Sequence, residues 1–143
     1  MPSTLTGLLT TVALLFGGTT ATEAPRAAGD KYPMAQYAKT SAKDGVLRKG
    51  CRNYRYTYAI KPPTEIWGLE TFLVDPDGET IASGGFLSGS DEPSGTSHFR
   101  FCRPLTRPGV FTIKGKFTYR EDSQSNPISG AIKPFTFRLS KPS

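Results

Sequence analysis

Long apolar runs, histidine and cysteine are all scarce in this chain of 143 residues. Its longest apolar stretch, Leu8 to Phe16, is interrupted by Thr10 and Thr11. That is too short to cross a bilayer as a helix, so no stable membrane span is expected. One histidine and two cysteines leave no ligand set for a multi-thiol zinc site, an iron–sulfur cluster or a haem-attachment motif, and neither a metal nor a cofactor is expected. The 15 glycines follow no three-residue period and no heptad pattern runs through the chain, which excludes collagen-like and coiled-coil architectures. There is no G-x-S-x-G turn, no C-x-x-C pair, and no RNP or helix-turn-helix pattern.

What is present points to one globular domain. Nine Phe, six Tyr and one Trp supply apolar surface for a core, and the length suits a single domain. The formal net charge is +6. The run Leu8 to Phe16 suits the h-region of a secretory signal, although no Lys or Arg precedes it. Thr19 and Ala21 fall at the −3 and −1 positions of a signal-peptidase site, and Pro25 disfavours cutting after Ala24. Residues 1–21 are therefore expected to be a signal peptide and the protein to be secreted. Residues 22–45, rich in Ala, Thr, Lys and Pro without apolar periodicity, are expected to be a flexible leader, with the folded domain spanning 46–143.

Within that domain the hydrophobic pattern steps in twos. Tyr54, Tyr56, Tyr58 and Ile60 alternate with Asn53, Arg55, Thr57 and Ala59, and Pro62-Pro63 ends the run. Phe111, Ile113, Phe117 and Tyr119 share a face with Gly115, while Thr112, Lys114, Lys116, Thr118 and Arg120 take the other. Phe135, Phe137 and Leu139 alternate again near the end, and Trp67–Val74, Thr80–Leu87 and Thr96–Arg103 lie between turn sequences. Asp75-Pro-Asp-Gly78 is one such turn, with Pro76 presetting φ and Gly78 accepting positive φ. About six or seven strands and no helical window predict an all-β fold, a single antiparallel β-sandwich of immunoglobulin-like or jelly-roll-like type. Cys51 and Cys102 are expected to form a structural disulfide, worth roughly 4 kcal/mol in the chain-entropy model.

The stretch Leu69–Ser83 with its D-P-D-G turn, then Phe99-Arg-Phe101, then Arg107-Pro-Gly-Val-Phe-Thr-Ile113, resembles small extracellular bacterial β-sandwiches of the pre-peptidase C-terminal type and related immunoglobulin-like modules. The resemblance implies a sandwich in which one strand leads into the D-x-D-G turn and a later P-G-x-F-x-I strand closes the sheet. Cys51, Cys102 and Trp67 also invite comparison with the immunoglobulin core. Against that, Phe99 and Phe101 claim the inward parity on the Cys102 strand, which would put the bridge at an edge or bulge.

Candidate chemistry is sparse. His98 has Ser97, Ser94, Asp91 and Glu92 nearby, which raises a small hydrolase as one alternative, yet its parity places it on the solvent face. Asp75, Asp77, Glu79, Asp91 and Glu92 could hold calcium only if the 75–79 and 88–92 loops meet, and their spacing fails the EF-hand pattern. Tyr54, Tyr56, Tyr58 and Trp67 could form an exposed platform for a carbohydrate-binding module, or a core. The leading expectation is a secreted non-enzymatic binding module acting through loops or a basic outer face. That face would carry Arg52, Arg55, Arg100, Arg103, Lys114, Lys116 and Arg120 if their strands share a sheet. Its partner would be an anionic cell-surface polymer, a glycan or another extracellular protein, and not nucleic acid.

Overall fold

The computed structural model describes residues 31–143. The expected signal peptide, residues 1–21, and the first part of the expected leader lie outside the described residues.

Nine strands form in chain order: β1 (Ala38–Ser41), β2 (Gly45–Val46), β3 (Cys51–Ile60), β4 (Ile66–Val74), β5 (Thr80–Leu87), β6 (Ser94–Cys102), β7 (Gly109–Arg120), β8 (Ile128–Ala131) and β9 (Phe135–Ser140). A 3₁₀ turn at Arg103–Leu105 carries the chain from β6 to β7. Six of these strands match the alternating segments of the sequence to within about two residues at each end. The other three are short and carry few large apolar residues, so period-two alternation does not reveal them.

Two sheets face each other. One has the order β1-β3-β6 and the other β2-β9-β7-β4-β5, with β8 pairing β7 beyond the end of β9. All pairs are antiparallel except β2 with β9. The first segment is thus shared: β1 adds to β3 in one sheet, then β2 crosses to run beside β9 in the other. Two facing sheets with no α-helix between them among the described residues make the fold an all-β sandwich.

The core lies between the sheets. Tyr56, Tyr58 and Ile60 of β3 and Phe99 and Phe101 of β6 meet Trp67, Leu69 and Leu73 of β4, Phe111, Ile113 and Phe117 of β7, and Phe137 and Leu139 of β9. Aromatic stacking runs diagonally across the β3–β6 ladder, with Tyr54 on Phe101 at 4.4 Å and Tyr56 on Phe99 at 4.3 Å. Phe111 continues this line between Phe101 and Phe137, 5.9 Å from each.

The folded unit begins at Tyr32, earlier than the expected boundary at residue 46. Met34 and Ala38 are buried, the Met34 amide donates to the Ala131 carbonyl at 3.0 Å, and β1 buries alternate residues. Ala38 and Thr40 are small or polar, so this inward face makes little hydrophobic signal in the sequence.

Cys51 and Cys102 are disulfide-bonded and directly opposite each other in the β3–β6 register. The bridge therefore closes the end of one sheet instead of joining two sheets. Phe99 and Phe101 do take the inward positions on β6, as their parity requires.

Candidate functional site

The seven basic residues expected to share one face divide between two. The cause is the connection through Arg103–Leu105, which takes the chain from β6 in one sheet to β7 in the other. Lys114, Lys116 and Arg120 sit on the outward parity of β7, with Lys116 in register with Glu70 of β4. On the opposite side of the sandwich, Arg55 and Arg100 occupy the outward parity of β3 and β6. Arg55 is in register with His98, and Arg100 with Asn53, to whose Oδ1 it donates from Nη1 at 3.2 Å.

Three further cations gather at the disulfide end of that same sheet. Arg52 has inward parity, but it lies at the mouth of the sandwich and is exposed, with Nε donating to the Lys49 carbonyl at 3.0 Å. Arg103 follows the bridge, and its amide donates to the Gly50 carbonyl at 3.0 Å. Arg48 is held through its own amide, which donates to the Tyr54 hydroxyl at 3.0 Å. Among the described residues the ion pair is Arg107 with Asp77, at 2.7 Å. Arg48, Arg52, Arg55, Arg100 and Arg103 thus have no carboxylate partner among the described residues.

Beside this group β3 borders a cleft of about 920 Å³. One wall is β3 from Arg52 to Thr57, and the other is the connection from β1 to β2 with Lys43, together with Arg48. Tyr54 and Phe137 contribute apolar surface to it. Lys43 carries no sequence signal of its own, because it falls in the segment expected to be flexible. Asn53 is silent for a different reason: its importance lies in its backbone position.

Of the four aromatics expected to form either a platform or a core, Tyr54 is half-buried and the other three are buried. Tyr56 and Trp67 retain 2% and 8% of their accessible surface, and Tyr58 is buried against Phe86 with ring centroids 3.8 Å apart. Their hydroxyls are used internally: Tyr56 with the Thr71 hydroxyl at 2.9 Å, and Tyr58 donating to the Glu92 carbonyl at 3.0 Å. Burial, chiefly, pushes both phenols above their ordinary pKa of 10.0.

His98 lies on the outer face of β6 in register with Arg55, while Ser97, in register with Tyr56, has the opposite parity. Neighbouring residues in a strand point to opposite faces, so Ser97 is not placed to pair with His98.

The two acidic loops are also far apart. β5 runs from one to the other, and its eight residues span roughly 25 Å, so the 75–79 and 88–92 loops sit at opposite ends of the sandwich. The condition for a shared calcium site is therefore not met. Asp75 instead organises its own turn. It is 5% exposed and accepts from the amides of Asp77 and Glu79 and from the Thr106 hydroxyl, at 2.9, 3.0 and 2.7 Å. Burial alone would raise its pKa, but these hydrogen bonds and the Arg107 charge outweigh burial and hold the carboxyl below its ordinary 3.8. Asp91, at the other end, accepts from the Leu87 amide at 2.8 Å and closes the turn after β5.

No protein-family model and no curated protein matches this chain. Among solved structures it is similar to the CARDB domain of the PF1109 protein from Pyrococcus furiosus, determined in complex with di-metal ions. The identity is 14%, the match covers 73% of this chain and 84% of that one, and the TM-score is 0.37. That is a partial structural resemblance.

Proposed function

We propose that this protein is a secreted, non-enzymatic binding module that takes an anionic partner on the basic side of its three-stranded sheet. The observation that carries the proposal is the gathering of Arg48, Arg52, Arg55, Arg100 and Arg103 on one side and one end of that sheet, without carboxylates to neutralise them among the described residues. Such a set creates a local positive field beyond the overall +6 and attracts polyanions. Export is supported by the apolar run Leu8 to Phe16 with small residues after it, and by the disulfide, since such bridges persist in oxidising compartments.

Retention on heparin, measured at low and at physiological salt, tests the proposal. The wild-type chain should be retained and should elute earlier as salt screens the contacts. Arg55→Glu with Arg100→Glu should abolish retention, whereas Lys114→Glu with Lys116→Glu, on the opposite sheet, should leave most of it. Equal losses from the two double variants would refute the assignment to this face, and absence of retention in the wild type would refute an anionic partner.

A further inference from the structure

The β3 strand has an edge that its own sheet leaves unpaired. β1 pairs with β3 from Ser41↔Thr57 to Ala38↔Ile60, and the chain then departs to place β2 beside β9. The β3 residues from Cys51 to Tyr56 therefore have β6 on one side and no strand on the other among the described residues. Six residues of extended chain present roughly 20 Å of such edge.

Which backbone groups are unpaired follows from the alternation of an antiparallel ladder. The Arg103 amide donates to the Gly50 carbonyl and the Ile60 amide to the Pro93 carbonyl, so even-numbered residues of β3 direct their polar groups to the β6 side. The Lys61 amide donates to the Tyr37 carbonyl on the β1 side, so odd-numbered residues direct theirs the other way. Thr57 and Ala59 spend these groups on β1. Cys51, Asn53 and Arg55 have no strand to spend them on among the described residues, and Asn53 and Arg55 border the cleft beside Lys43 and Arg48.

We infer that this edge accepts an extended acidic peptide of a partner protein as an added strand, seated along Asn53 and Arg55. The inference rests on the proposal that the basic side of this sheet is the binding surface, and it names the form the anionic partner takes. Asn53 and Arg55 alone offer up to four ladder hydrogen bonds, the usual source of affinity in strand addition. Charge decides the partner. Lys43, Arg48, Arg52 and Arg55 line the cleft, and no acidic residue does. The same cations disfavour edge pairing with a second copy of this +6 chain, as guarded sheet edges commonly do. An added strand alternates its side chains, so acidic residues can meet Arg55 on the outward side while apolar ones settle toward Tyr54 and Phe137.

The test uses the full chain with an eight-residue peptide alternating Glu and Val. Heparin and the same peptide N-methylated at alternate residues serve as comparisons. Amide hydrogen exchange is read residue by residue. Saturating peptide should slow exchange at Asn53 and Arg55 by at least roughly tenfold, while Thr96, His98 and Arg100 on the far edge of β6 stay unchanged. N-methylation should abolish both binding and protection. Asn53→Pro removes an amide that the β3–β6 ladder does not use, a position where an edge strand tolerates proline. It should cost at least about tenfold in peptide affinity. If the N-methylated peptide binds equally well, if protection falls on β6, or if peptide and heparin both bind without protecting Asn53 and Arg55, strand addition is wrong and the basic-face proposal survives. If neither peptide nor heparin binds, both fail.

Discussion

The Tyr56 hydroxyl and the Thr71 hydroxyl lie 2.9 Å apart in the buried space between the two sheets, one on β3 and the other on β4. Gly84 on β5 makes room for the pair: a Cβ there would sit 3.0 Å from the Thr71 oxygen and 3.1 Å from the Tyr56 oxygen. This polar link joins the sheets, a task the disulfide does not perform because both of its cysteines belong to one sheet.

Removing one partner should therefore cost more than removing both. Tyr56→Phe strands a completely buried Thr71 hydroxyl and is expected to destabilise by about 1–3 kcal/mol. Tyr56→Phe combined with Thr71→Val should recover much of that loss, since neither side then holds an orphaned polar group. Urea unfolding of the two single variants and the double variant measures the coupling, and strictly additive losses would contradict it.

Alkaline pH should loosen the same core. Tyr56 and Tyr58 have phenols raised above 10.0, chiefly by burial, with Asp91 and Glu92 adding to the effect at Tyr58. The unfolded chain loses these protons near pH 10 while the folded state keeps them. Their contribution is whole below that pH and shrinks as pH climbs past it. Thermal midpoints should fall above pH 10, and Tyr58→Phe should blunt the fall.

The acid limb has the opposite sign and a different residue. Asp75 is held below 3.8 because hydrogen bonds from Thr106, Glu79 and Asp77, with the Arg107 charge, outweigh its burial. Its stabilisation is fully present above the unfolded value and is lost as pH falls through 3.8 toward the lower folded value. Asp75→Asn should cost roughly 2 kcal/mol at neutral pH, because a charged acceptor is lost from three hydrogen bonds. It should also flatten the acid dependence of stability between pH 5 and 2, and an unchanged acid limb would remove Asp75 as its source.

Strand positions were legible where large side chains alternate, as in Phe111, Ile113, Phe117 and Tyr119, because period-two burial is written directly into residue type. Sheet membership was not. Whether β6 and β7 lie side by side depends on the path through Arg103–Leu105, and nothing in the alternation of either strand records that path. The single basic stripe failed on this point: Arg100 and Lys116 are both outward-facing, on opposite outsides of the molecule. The unpaired edge at Asn53 was hidden for a related reason, since it depends on where β1 stops and not on what Asn53 is.

The disulfide should stabilise the fold without defining it. The bridge spans 51 residues of sequence, for which the chain-entropy model gives roughly 4 kcal/mol. It closes the end of one ladder, however, and the aromatic core continues past it through Phe99, Tyr56 and Phe86. Cys51→Ser with Cys102→Ser should lower the urea midpoint by an amount equivalent to about 2–4 kcal/mol while keeping the native near-ultraviolet circular dichroism. Loss of that signal at neutral pH and low temperature would mean that the bridge is required to assemble the sandwich.

The same chemical change at two threonines should act with opposite signs. Thr40, on β1, buries its hydroxyl without a hydrogen-bond partner among the described residues, so the group has lost water and gained nothing. Thr71 is fully enclosed, but its hydroxyl meets Tyr56. Valine has nearly the shape of threonine without the polar atom. Thr40→Val should accordingly stabilise by about 1 kcal/mol, and Thr71→Val should destabilise by about 1–2 kcal/mol through the hydrogen bond lost to the Tyr56 hydroxyl. Because β1 is held to β3 by only four paired residues, the gain at position 40 should also slow amide exchange locally at Lys39 and Ser41. A destabilised Thr40→Val would show that its hydroxyl is engaged in solution, with an internal water as the obvious partner to look for at high resolution.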